Sequence, residues 1–105
     1  MEFDKFIEIR QQLCVAHPKV TEGRMMSSPA IHYNGKVIAF FSRNQKMVFK
    51  LGKDFSIDEE DPVVLSEFNP FKKKKPLAGW YEIGYEHHGK WHEYARKALD
   101  LIKSD

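Results

Sequence analysis

The chain has 105 residues, of which 42% are hydrophobic, 13% aromatic and 30% charged, and its formal net charge is +2. This length predicts a single domain over residues 1–105 with one modest core, and the composition excludes a chain that is disordered throughout. The small net charge gives no overall indication of a polyanionic partner, and the single cysteine, Cys14, excludes an internal disulfide and a cysteine-rich metal site.

The N-terminal residues show no targeting signal. They contain no basic region followed by an apolar run, which a signal peptide requires. No stretch of the chain approaches the roughly 20 apolar residues needed to cross a bilayer. We therefore expect a protein with no membrane partner and a cytoplasmic location.

The first predicted element is an amphipathic helix in FDKFIEIRQQLCVAH. The residues at helical spacing form an apolar stripe that packs on a core, and they are Phe3, Phe6, Ile7, Leu13 and Cys14. Pro18 restricts the residue before it and cannot continue the hydrogen-bond pattern, so the helix should end near His17.

A meander of three or four antiparallel strands is predicted next. VTEGRMM has the composition of a short strand, and Asn34-Gly35, between AIHY and KVIAFFSR, is a preferred dipeptide of type I′ hairpin turns. A second tight connection at Asn44-Gln45 leads into KMVFKLG.

The strand KVIAFFS is apolar on both of its faces. Regular alternation would place Val37, Ala39 and Phe41 on one face and Ile38 and Phe40 on the other. A sheet with one wet face should alternate apolar and polar residues, so this strand predicts that both faces are covered. Because few helices are available for the second face, we expect a homodimer with Ile38 and Phe40 at its interface.

The C-terminal half predicts a connection, a strand and a closing helix. DFSIDEEDP has the composition of an acidic loop, VVLSEF is compatible with a strand or a short helix, and LAGWYEIGY predicts a strand. The last segment predicts a helix with one apolar face, made of Trp91, Ala95, Ala98, Leu99 and Ile102. The expected fold class is α+β, with an antiparallel sheet flanked by N- and C-terminal helices.

The strongest local charge is the lysine run in NPFKKKKPLAGW, which consists of Lys72, Lys73, Lys74 and Lys75. In a nucleic-acid site these lysines would contact phosphates, with Phe71 and Trp80 stacking on bases and with further lysines from neighbouring strands, Lys46, Lys50 and Lys53. Exposed lysine runs are more often solvated connectors, and strand entry near Trp80 favours the core for that ring. Nucleic acid is therefore an alternative partner and not the favoured one.

Two further patterns are candidate chemical sites. His88 and His92 have the i, i+4 spacing of helix-borne zinc ligands, but no HExxH motif is present and Gly89 marks the helix start, so structural histidines are favoured. Cys14 and His17 could form a thiolate–imidazole pair, but Cys14 lies on the apolar stripe. No enzyme signature is present, and we expect no cofactor.

The segment GRMMSSPAIHYNGKVIAFFSRNQKMVFKLG carries a family resemblance. Its pieces RMM, IHY, GK, AFF and MVFK, followed by GWYEI and the alanine- and leucine-containing closing helix, resemble the N-terminal domain of the TfoX/Sxy competence-regulator family over most of the chain. The layout is also similar to the YjbR/MmcQ-like group, which is often labelled DNA-binding. The resemblance implies the element order α-β(3)-α-β(2)-α of secretion-chaperone-like folds, and no active-site residues.

These features are compatible with three functions. The leading hypothesis is a non-enzymatic interaction or regulatory module that is a homodimer or binds a protein partner. The second is a nucleic-acid-binding protein that uses Lys72–Lys75. The third is a small-molecule or metal-binding protein, with His88 and His92 as the candidate ligands.

Overall fold

A computed structural model describes residues 2–25, 27–53, 55, 66–68 and 78–104. Helix α1 (Glu2–Ala16) begins the described chain and helix α2 (Trp91–Lys103) lies near its end, preceded by a 3₁₀ helix at Tyr85–Lys90. The strands between them are β1 (Val20–Met25), β2 (Ser28–Tyr33), β3 (Lys36–Phe41), β4 (Met47–Lys50), β5 (Ser66–Glu67) and β6 (Trp80–Ile83). The predicted α+β class, with helices flanking an antiparallel sheet, is confirmed. The acidic loop and the middle helix of the implied order fall mostly on residues 56–65, outside the described residues.

The described strands form one antiparallel sheet in the order β1-β2-β3-β4-β6-β5. The first four strands are neighbours in sequence order, as a meander predicts. Strand β6 then lies between β4 and β5, so β1 and β5 are the two edges. Within the part of the chain that is described, no helix is long and apolar enough to span a bilayer.

Both predicted tight connections are confirmed. Asn34 and Gly35 have φ angles of 51° and 84°, the positive values at both central positions that a type I′ turn requires. In the second connection Gln45 has a φ of 61°, and the Ser42 amide donates to the Lys46 carbonyl at 2.9 Å. These turns fix the register of β2 against β3 and of β3 against β4.

Both helices pack on the same face of the sheet, which we call the helix face. The core there contains Phe6, Ile9 and Leu13 from α1 and Trp91, Tyr94, Ala95, Ala98 and Leu99 from α2, and the sheet contributes Ile31, Met47, Phe49 and Ile83 among others. Phe3, predicted to be buried with Phe6, is 45% exposed at the rim, where its ring lies 5.5 Å from Phe41. The buried stripe of α1 is therefore Phe6, Ile9 and Leu13.

A β-bulge at Ile38 makes the predicted face assignment of strand β3 wrong. Ile31 pairs with Ala39 but His32 pairs with Val37, so Ile38 is an extra residue in the ladder. A bulge of this kind breaks the two-residue alternation. Ile38 consequently joins Ala39 in the helix-face core, while Val37 packs on the opposite face.

The opposite face of the sheet, called here the second face, has its own small apolar cluster. Ala30, Phe40 and Val48 are buried in it. Phe68 and Trp80 are half-buried, and their ring centroids lie 5.3 and 5.6 Å from that of Phe40. Phe40 is therefore covered partly by aromatic rings of its own chain.

Candidate interaction surface

Strand β1 presents open backbone groups along one edge of the sheet. The Asn34 amide donates to the Lys19 carbonyl, and in an antiparallel ladder the residues that face the neighbouring strand alternate with residues that face away. Val20, Glu22 and Arg24 therefore point their backbone groups away from β2. The Val20 amide bond to the His17 carbonyl, at 3.0 Å, agrees with this direction.

Only some of the backbone groups on this edge form hydrogen bonds within the described part of the chain. The Val20 amide donates to His17, and the Arg24 carbonyl accepts from Nε2 of His32 at 3.2 Å. Among the described residues, no backbone hydrogen bond reaches the Glu22 N–H or C=O from the open side. An exposed edge strand of this length is a ready template for pairing with another strand.

His32 reaches the edge because position 23 is a glycine. A Cβ built on Gly23 would lie 2.3–2.5 Å from ring atoms of His32, so any side chain there would displace the imidazole. Gly23 pairs with Ala30, and both lie on the second face. The His32 ring therefore occupies the space that a side chain at position 23 would need.

The charged residues of β1 lie on the helix face, and α1 holds one of them, Glu22. Glu22 pairs with Ile31 of the helix-face core, so its side chain lies on that side, and Arg24 shares it by alternation. Arg10 Nη2 lies 2.6 Å from Glu22 Oε1, and Arg10 Nη1 donates to the Ala30 carbonyl at 3.4 Å. The Arg10 side chain is only 12% exposed whereas that of Glu22 is 71% exposed. Arg10 therefore holds a carboxylate that still faces solvent.

A shallow groove runs between α1 and this edge. Phe3, Arg10, Glu22, Gly23, Arg24 and Pro29 line it, and its volume is about 370 Å³. The exposed ring of Phe3 and the side chain of Glu22 both line this groove. The β1 edge thus combines unpaired backbone groups, opposite charges and one exposed aromatic ring.

The second face carries lysines beside its aromatic cluster. Lys50 pairs with Trp80 across β4 and β6, and both side chains lie on the second face. Lys46, the residue before β4, has its Nζ 3.8 Å from Glu82 Oε1. Of the lysines proposed to contact phosphates, Lys46 is thus partly neutralised by Glu82, while Lys50 is exposed.

The structure describes the residues of the predicted dimer interface but not the predicted lysine run. Lys72, Lys73, Lys74 and Lys75 lie outside the described residues, as does Phe71. Ile38 and Phe40 are 1% and 4% exposed, in the helix-face core and the second-face cluster respectively. An interface at these two residues stays a prediction, but it would require a partner to reach side chains that the chain itself buries.

The two candidate metal ligands lie on different elements. His88 belongs to the 3₁₀ helix, where its ring stacks on Tyr85 with the centroids 4.6 Å apart, and His92 belongs to α2. The backbone is non-helical at His87, with φ −118° and ψ 30°. Among the described residues, no group of three or more His, Cys, Asp and Glu side chains is placed to hold a metal ion.

Cys14 is half-buried on α1 and packs against the helix-face core. Burial raises the pKa of its thiol, and the nearby Glu22 carboxylate raises it further. Because the thiolate is the nucleophilic form, this environment makes Cys14 a poor nucleophile at neutral pH.

Sequence reasoning did not single out the residues of the β1 edge. Arg10, Glu22 and Arg24 resemble ordinary solvated charges in the sequence. A signal was nevertheless present, because the first strand of a meander has only one neighbour unless a later strand pairs with it. Glutamate and arginine two residues apart on such a strand are expected to share one face. Comparison with known proteins finds no family model, curated protein or solved structure that matches this chain.

Proposed function

We propose that this protein is a non-enzymatic interaction or regulatory module that acts as a homodimer. The observation that supports this proposal best is the edge strand β1, in which the backbone N–H and C=O of Glu22 face away from the sheet. The Glu22 carboxylate, held by Arg10, shares the helix face with the Arg24 side chain. Strand addition at such an edge supplies affinity through main-chain hydrogen bonds and specificity through side chains. The resemblance to the TfoX/Sxy N-terminal domain agrees with a regulatory module.

Sedimentation velocity over a range of protein concentrations tests this proposal. We expect a reversible monomer–dimer equilibrium, with the dimer predominating at tens of micromolar. The dimer should persist at moderate salt, because main-chain hydrogen bonds are less sensitive to salt than exposed ion pairs. A chain that sediments as a strict monomer across this range would contradict the homodimer.

A second candidate function is nucleic-acid binding through the second face. The observation that favours it is the position of exposed Lys50 beside Trp80 and Phe68 on one side of the sheet. Aromatic rings that stack on bases and lysines that contact phosphates are the usual components of a single-strand site. The predicted lysine run would add to this charge.

Fluorescence anisotropy with single-stranded and duplex DNA, titrated from low to physiological salt, tests this second candidate. Phosphate contacts predict affinity that falls steeply with salt, and Lys50→Glu and a Lys72–Lys75 glutamate variant should each reduce it. Lys36→Glu is the control, because Lys36 is exposed and pairs with Tyr33 on the helix face. If both variants bound DNA as tightly as the wild type, these lysines would not be the nucleic-acid contacts.

A further inference from the structure

We propose that the β1 edge pairs with β1 of a second copy of this chain, antiparallel, with Gly23 opposite the partner's Gly23. This inference rests on the proposed homodimer and specifies its interface. It would join the two sheets edge to edge about a two-fold axis that passes between the two Gly23 residues, and every other contact would occur twice by symmetry. Both helix faces then lie on the same side of the combined sheet.

Backbone direction restricts the registers that such pairing can use. Only residues whose backbone groups point away from β2 can form the new hydrogen bonds, and these are Val20, Glu22 and Arg24. Symmetric registers can be centred on Thr21, Glu22, Gly23 or Arg24. The registers centred on Glu22 and Gly23 each pair five residues of β1 on each copy, whereas those centred on Thr21 and Arg24 pair three.

Charge selects one of the two longer registers. Centring on Glu22 places it opposite the partner's Glu22, and centring on Arg24 places two arginines opposite each other. Centring on Gly23 places Glu22 opposite the partner's Arg24, and Arg24 opposite the partner's Glu22. Opposite charges directly across an antiparallel pair stabilise it, and like charges destabilise it. The register centred on Gly23 is therefore the one that the sequence of β1 favours.

The same register satisfies the open backbone groups. The Glu22 amide would donate to the carbonyl of the partner's Arg24, and the Arg24 amide to the carbonyl of the partner's Glu22, with both bonds repeated by symmetry. The Arg24 carbonyl already accepts from His32, but a carbonyl oxygen has two lone pairs. Arg10 holds the Glu22 carboxylate at this edge, so the carboxylate would lie between two guanidinium groups.

Charge reversal gives the first test of this register. Glu22→Arg and Arg24→Glu each convert two opposite-charge pairs into two like-charge pairs, so each variant alone should dimerise about tenfold or more weakly than the wild type. Mixing the two variants in equal amounts restores opposite charges at both positions, and the mixture should form heterodimers. Sedimentation velocity of each variant and of the mixture gives the measurement. Asp100→Arg and Arg96→Glu, on the exposed face of α2, are the matched controls.

A disulfide gives a second test that does not disturb the contact between Glu22 and Arg10. In the proposed register Thr21 lies opposite the partner's Met25 as a non-hydrogen-bonded pair, with Cα atoms about 4.5 Å apart, close enough for a disulfide. Thr21→Cys/Met25→Cys in a Cys14→Ser background should form a covalent dimer on mild oxidation. Thr21→Cys alone should not, because its partner position would lack a thiol.

Each outcome has one meaning. Weak dimerisation of the single variants, recovery in the mixture and a disulfide-linked dimer support the register. A dimer whose dissociation constant is unchanged in both variants, or whose weakened variants do not recover on mixing, overturns the register while the homodimer stands. A wild-type monomer at tens of micromolar overturns both proposals.

Discussion

Replacing Trp91 by alanine is expected to lower the free energy of unfolding by about 3–5 kcal/mol, the usual cost of truncating a large buried aromatic side chain. Trp91 is fully buried, with 0% exposure. Its Nε1 donates to the carbonyl oxygens of Ile83 and Gly84 at 3.1 and 3.2 Å, so the ring ties the end of β6 to the start of α2. Urea denaturation followed by far-ultraviolet circular dichroism gives the measurement.

Two further variants separate the contributions to this effect. Trp91→Phe keeps an aromatic ring but leaves the Ile83 and Gly84 carbonyls without their donor, so it should cost roughly 1–3 kcal/mol from the lost hydrogen bond alone. Trp80→Ala is the matched control, because Trp80 is only half-buried on the second face. A smaller loss of stability for Trp91→Ala than for Trp80→Ala would show that Trp91 does not anchor α2.

The second large effect is expected at Gly79, which precedes β6. Its φ is +84°, and a Cβ there would lie 3.1 Å from the carbonyl carbon of Gly52 and 3.3 Å from the Lys53 nitrogen. The Gly79 carbonyl also accepts hydrogen bonds from the amides of Leu51, at 2.8 Å, and Gly52, at 3.1 Å. Gly79→Ala should therefore cost about 1–2 kcal/mol for the left-handed backbone and a further 1–3 kcal/mol or so for crowding of the neighbouring strand end.

Gly35 provides the control for this experiment. Its φ is also +84°, but a Cβ at Gly35 would have no atom within 4 Å. Gly35→Ala should thus show the backbone cost without the crowding, and denaturant titration of both variants measures the difference. Equal losses of stability in the two variants would mean that the close approach of Gly79 to Gly52 and Lys53, just after β4, adds nothing to the free energy of unfolding.

Sequence patterns predicted the local elements of the fold well. The hairpin at Asn34-Gly35, the end of α1 before Pro18 and the apolar face of α2 depend on residues close together in the chain. The order of the last strands could not be predicted in the same way. Insertion of β6 between β4 and β5 depends on pairing across a long separation, and no local residue preference encodes that pairing.

The bulge at Ile38 explains why the boundaries of β3 could be predicted but the sheet face of each of its residues could not. Alternation along β3 predicts two faces only if every residue has one partner on the neighbouring strand. Ile38 has none, because the register between β2 and β3 shifts there. A run such as VIAFF, in which every residue is apolar, gives no sequence signal for such a shift. The inference of a partner over Ile38 therefore began from an alternation that the strand does not follow.

The candidate interaction surface was harder to predict than the fold. Glu22 and Arg24 become informative only when β1 is known to be an edge and the direction of its backbone groups is known. The contact between Arg10 and Glu22 further depends on how α1 crosses the sheet. Charges on a strand predict solvent exposure, but predicting a specific partner requires knowledge of the three-dimensional arrangement of the whole edge.

The position of β6 in the sheet has a consequence for synthesis of the chain on the ribosome. Strand β4 pairs with β3 on one side, but its other side pairs with β6, which is made after the connecting residues. Met47, Val48 and Phe49 are fully buried in the finished fold. Until Trp80–Ile83 has emerged, a nascent meander presents this apolar strand as an unprotected edge, the kind of surface that chaperones bind and that promotes aggregation.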